Sequence, residues 1–171
     1  MENPSHVARR RALLGLLAGG ASLAGLLREA GAQAQIARNP GLYLVQGDVR
    51  VNGKPVKPGE LVRASDTVTT GRGALAVFSV GQDAFLMREN SRANFTGRDL
   101  VIDALRLLSG KLLSVFVTGH NLRLSTPTAT IGIRGTGAYL EAERARTYFC
   151  LCYGSAEIAS ANGSMRDSYS T

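Results

Sequence analysis

The sequence predicts an all-β protein: a compact sandwich or β-roll of about ten short, mostly antiparallel strands behind an N-terminal signal helix. Three observations predict it. Glycine is abundant, 20 of 171 residues, well above the usual share of about 7%, so the chain turns often. Short alternating apolar and polar segments recur at even spacing. No segment after Leu27 carries apolar residues at helical period.

The first 34 residues stand apart. Arg9, Arg10 and Arg11 precede an apolar run from Ala12 to Leu27, and Ala32-Gln33-Ala34 comes next. That is the order of a basic region, a hydrophobic region and a small-residue cleavage site in an export signal. Paired arginines followed by Ala12, Leu13 and Leu14 resemble a bacterial twin-arginine signal. At 16 residues, the run falls short of the roughly 20 that a spanning helix needs. Cleavage after Ala34 is expected, giving a mature chain from Gln35 in the periplasm, with no membrane span once the signal is gone. The alternative is an uncleaved signal that anchors the protein to the inner membrane. Residues 35–42 read as a linker.

The whole chain carries a net charge of +7, and 17 of its 20 basic residues are Arg. Without residues 1–34 it has 16 basic and 11 acidic residues, a net charge of +5 over 137 residues. Those charges form no runs, so composition gives no support for nucleic acid as a partner.

The domain proper reads as strands throughout. Residues 41–56 alternate and then turn at Asn52-Gly53, the pair that favours a type I′ hairpin. Pro58-Gly59 is a second turn pair. Residues 66–95 give three short strands with breaks near Gly71, Gly81-Gln82 and Glu89-Asn90. Residues 100–117 give two more, broken at Ser109-Gly110, and residues 121–163 supply about five. The end, residues 161–171, is a polar tail expected to fray.

The segment 125–141, "STPTATIGIRGTGAYLE", poses the functional question. A phosphate-binding glycine loop must open a helix. The residues after Gly137 alternate instead, so that reading fails. A backbone role fits: Pro127 lacks an N–H and belongs at a strand start or edge, while Gly132, Gly135 and Gly137 permit bulges or close strand approach. Arg134 can engage a carboxylate or carbonyls through its planar fork, and Thr136 can close a local turn.

These residues carry a resemblance. Thr126-Pro127 followed by Arg134-Gly135-Thr136 is similar to the motif of the FecR domain of bacterial envelope proteins. Gly47, Val49, Gly59, Asp66, Thr70 and Gly71 resemble its opening. "LRLLSGKLLSVF" resembles its middle strand pair, and "TYFCLCYGSAEI" its closing hairpin. Gly81-Gln82-Asp83 departs from the turn usual there. The resemblance spans residues 43–160. It implies an exported binding or signalling module, not an enzyme, whose partner is an envelope protein or glycan. Eleven residues precede the apolar run, too few for a stable helix, so no cytoplasmic anti-sigma segment is expected.

No nucleophile or zinc-protease motif appears. His120 is the one histidine after the signal. Asp99, Asp103, Glu141, Glu143 and Glu157 read as solvated positions. Cys150 and Cys152 admit three readings. As residues two apart on a strand they share a face and can be small buried core residues. With His120 they would hold Zn or Cu, which makes metal or thiol handling the alternative function. In an oxidising compartment they can also enter redox or intermolecular disulfides. A bond between the two is not expected in a regular strand, because their Cα atoms lie about 6.5–7 Å apart, at the limit for a disulfide. Thr147, Phe149, Leu151 and Tyr153 alternate onto the other face and read as core.

Overall fold

The computed structural model of the protein describes residues 40–117 and 121–171, with the backbone alone at Gly135 and Thr136. The expected signal, residues 1–34, and His120 lie outside the described residues. The described chain is all-β. Its twelve strands are β1 (Gly41–Gln46), β2 (Val49–Val51), β3 (Lys54–Pro55), β4 (Thr67–Thr70), β5 (Leu75–Val80), β6 (Asp83–Met87), β7 (Arg92–Arg98), β8 (Val101–Val115), β9 (Asn121–Ser125), β10 (Ala129–Ala142), β11 (Thr147–Ser160) and β12 (Arg166–Ser170). Among the described residues no helix is long and apolar enough to cross a membrane.

Local turn chemistry sets the short hairpins. Asn52 and Gly53 both adopt positive φ, 52° and 78°, and join Val51 to its partner Lys54, as a type I′ turn requires. Asp66 fixes this corner. Its carboxylate accepts from the Asn52 side-chain amide at 2.7 Å and from the Arg63 backbone at 2.8 Å. Gly81-Gln82 makes the two-residue turn between β5 and β6.

Three expectations need correction. The domain begins before residue 43: Gly41 and Leu42 already pair with β5, and Leu42 is buried. The polar tail is not free, because β12 pairs with the end of β11. And the strands are not all short. β8, β10 and β11 run for 15, 14 and 14 residues, with no break at Ser109-Gly110.

Those three strands organise the fold, because each serves two parts of one sheet. The first half of β8 pairs with β7 and, in parallel, with β9. Its second half pairs with β6 and β10. β10 likewise pairs with β9 through residues 130–134 and with β8 from Gly137 onward. Every other pairing is antiparallel.

Each long strand also changes which of its residues face inward. Beyond Ile102, the buried set in β8 is Leu105 and Leu107, then Leu112 and Ser114. In β10 it is Ile131 and Ile133, then Ala138 and Leu140. In β11 Phe149 and Leu151 pack on the core, and then Ala156 and Ile158 do so. Odd positions give way to even ones, so an extra residue must intervene in each. The register places it opposite the step from Arg92 to Ala93 of β7 for β8, between Arg134 and Gly137 in β10, and at Cys152 in β11. Such bulges bend a strand, and one sheet thereby wraps a single core. Phe78, Phe85, Phe95 and Phe116 pack edge-on or stacked at its centre, with ring centroids 5.1–5.8 Å apart.

Candidate functional site

The motif residues Thr126 and Pro127 lie in the loop between β9 and β10, where Ser125 pairs with Thr130. Thr126 is buried and closes the loop. Its hydroxyl accepts from the Ala129 and Thr128 backbones at 3.0 and 3.3 Å, and its N–H donates to the Ala129 carbonyl at 2.8 Å. Pro127 sits in this turn and not within a strand, so its missing N–H costs the ladder nothing.

Arg134, Gly135 and Thr136 mark the place where β10 leaves β9 for β8 and where its register slips. The Arg134 side chain takes no part in that backbone device. It is exposed and makes no ion pair with a described residue.

Arg134 instead belongs to a surface. On the outward face of β8–β12, Arg123 pairs with Gly132, which pairs with Glu157, which pairs with Ser168. Arg134 lies one row further on, between Asn121 and Ser155. Gly132 puts no side chain between Arg123 and Glu157, and the space above it is open. The result is a groove of about 870 Å³, to which Asp103, Asn121, Arg123, Arg134, Glu157 and Ser168 contribute polar side chains. Arg106 and Arg166 stand at the two ends of the neighbouring row, Arg106–Ser125–Thr130–Ala159–Arg166. All four arginines are exposed and none is ion-paired among the described residues. An open face carrying four guanidinium forks and two carboxylates suits a ligand rich in carboxylate or phosphate. Asp103 and Glu157 are exposed, in line with the solvated positions expected from sequence. Their nearness to Arg123 carries no sequence signal, because the parallel β8–β9 pairing brings Asp103 there and the β9–β10–β11 ladder brings Glu157.

The thiols lie elsewhere. Cys150 and Cys152 are both exposed and unbonded, which overturns the core reading. The extra residue at Cys152 explains a second correction. Tyr153 pairs with Gly137 and Leu151 with Ala138, so Tyr153 is turned out of the Phe149–Leu151 face and is 48% exposed. Its ring lies over Gly137, where a Cβ would come within 2.6 Å of a ring carbon. Among the described residues no three His, Cys, Asp or Glu side chains group as metal ligands.

The outer face beside Cys150 is apolar. Leu44, Val77, Leu86, Leu113, Tyr139 and Cys150 follow one another across six paired strands. At its border the Tyr139 hydroxyl donates to Glu141 at 2.7 Å, and Lys111 lies 3.6 Å from the same carboxylate oxygen. Burial first, and then this bond, push the Tyr139 phenol up to about 12. The same bond is the main cause that holds Glu141 below the usual carboxylate range.

No protein-family model matches the chain, and no curated protein matches it.

Proposed function

We propose that the protein is an exported envelope binding module of FecR type, acting in the periplasm, and that its ligand face is the arginine-bearing groove of β8–β12. The supporting observation is a glycine-floored groove lined by Arg123 and Arg134, with Arg106 and Arg166 in the neighbouring row, all four exposed and none ion-paired among the described residues. In a structural role they would be paired or packed. Binding an anionic envelope glycan gives them partners, with Glu157, Asp103 and Asn121 available to its hydroxyls. Such a module performs no chemical step and acts as a relay or scaffold.

The test is calorimetric titration of the purified chain with a uronate-rich polysaccharide and with a neutral glucan. Binding of the first alone, weakened by salt and abolished in an Arg123→Ala/Arg134→Ala variant of unchanged circular dichroism, is the expected outcome. Equal binding of both glycans, or of neither, rejects this ligand.

A second reading, metal or thiol handling, draws support from the exposure of both cysteines. Near-stoichiometric Zn or Cu in the purified protein, lost on Cys150→Ser/Cys152→Ser, would favour it.

A further inference from the structure

We propose that two copies of this chain pair edge to edge through β11 and are joined by reciprocal disulfides, Cys150 of each protomer bonding Cys152 of the partner subunit. The sheet edge at β11 is open. β12 covers β11 only at residues 155–159, so among the described residues 147–153 pairs with β10 alone. A bare edge is a template for another strand, and proteins guard such edges with charge or proline. Residues 147–154 contain neither. The bulge at Cys152 is the only guarding feature in that stretch.

The spacing of the thiols selects a second copy as the occupant. Antiparallel pairing of a strand with itself about a two-fold axis at Leu151 sets position 150 opposite position 152, and 152 opposite 150. Both thiols of both chains are then matched at once. Cα atoms of directly opposed antiparallel residues lie about 4.5 or 5.5 Å apart, inside the disulfide range of about 4.4–6.8 Å. In a regular strand residues two apart lie about 6.5–7 Å apart, at or beyond it, but the slip at Cys152 breaks that regularity, so an internal bond is the competing product that the experiment must separate from the reciprocal pair. Both sulfurs are exposed, so a small oxidant can reach them.

The chemistry balances with a disulfide donor as the oxidant. A Cys150 thiolate attacks the donor and releases one donor thiol. Cys152 of the partner subunit, as thiolate, then attacks the mixed disulfide and releases the second. Two such exchanges consume two donor disulfides, yield four donor thiols and leave two interchain bonds. The four cysteine sulfurs are oxidised and the donor sulfurs reduced.

The experiment oxidises the reduced full-length chain with oxidised glutathione, followed by non-reducing electrophoresis and intact mass. The expected product is a covalent dimer lighter by four hydrogens than two reduced chains, reversed by reductant. The discriminating step uses Cys150→Ser and Cys152→Ser, both surface changes. Alone, neither variant can match a thiol with a thiol about Leu151, so each stays monomeric. Mixed, they form a heterodimer with one bond. An internal Cys150–Cys152 bond in a monomer overturns the proposal. So does covalent dimer from either single variant alone in the amount the mixture gives. Chains that stay reduced and monomeric, or carry only glutathione, overturn it as well.

Discussion

The Thr147 hydroxyl lies 2.6 Å from the Thr126 hydroxyl and 2.6 Å from that of Thr128. Thr147 begins β11 opposite the last residue of β10, whereas Thr126 and Thr128 precede the first. A straight strand of 14 residues would hold those ends about 45 Å apart. The β10–β11 hairpin is therefore doubled over, and three hydroxyls tie its ends together. The Thr-Pro and Arg-Gly-Thr motifs are the two fixtures of this device, one at the tie and one at the bend.

Removing the tie should cost stability without changing the fold. Thr147→Val leaves two hydroxyls without their shared partner, and Thr126 is buried. The expected loss is about 1–3 kcal/mol, read by urea unfolding. Thr147→Ser should recover most of it. A Val variant as stable as the parent would show that the hydroxyls contribute nothing.

Gly110 is the corresponding test of the β8 bend. Its φ is +88°, and an added Cβ would come within 2.5 Å of Ser91 Cα. That neighbour is backbone and cannot swing aside. Gly110→Ala should lower stability by at least the roughly 1–3 kcal/mol of a strained backbone. A melting temperature within experimental error of the parent would mean that β8 passes this point another way.

Tyr139 and Glu141 predict two pH limits. Glu141 is held below its ordinary value, so its contribution is complete above about pH 4.5 and fades as pH falls through the lowered value. Tyr139 is raised, so its contribution is complete below pH 10 and fades as pH climbs toward about 12. Carboxyl carbon NMR should show Glu141 titrating late on acidification and returning toward the ordinary range in Tyr139→Phe. Ultraviolet titration should show one phenol ionising near pH 12 and absent from that variant. A Glu141 that titrates identically in both proteins would contradict the bond.

Arg134 should be dispensable for folding. Exposed and free of ion pairs with the described residues, it resembles the surface positions where substitutions change stability by about 0.5 kcal/mol or less. Arg134→Ala is expected to melt with the parent while losing affinity for the anionic glycan. A destabilisation above about 1 kcal/mol would return Arg134 to a structural role.

The turns are legible in the sequence because their chemistry is local. Asn52-Gly53 and Gly81-Gln82 need no distant partner to specify them. The strand class is legible through alternation. The bends are not, because alternation is clean on both sides of each. In "IGIRGTGAYL" the slip falls among glycines, which have no side chain to mark a face. In "TYFCLCYG" nothing local shows that Cys152 is extra, since the slip answers one in β10. β12 is hidden for another reason. All five of its residues are exposed, so no buried face imposes a pattern. The groove obeys the same logic: its residues come from five strands, and topology alone assembles them.

The slips in β10 and β11 bind two distant stretches of the gene into one length constraint. Deleting a codon near Gly135 alone would shift every pair from Arg134 to Ala129 against β11, and deleting Cys152 alone would do the converse. Losing both would restore the pairing yet present Ile131, Ile133, Ala156 and Ile158 to water and the arginine groove to the core. Residue number is fixed at these positions whatever residue stands there. Length variation should therefore be confined to the connecting loops, such as residues 143–146, where an insertion would disturb only an exposed turn closed by the Glu143 N–H to Arg146 carbonyl bond at 2.9 Å and a 2.8 Å surface ion pair between the same residues.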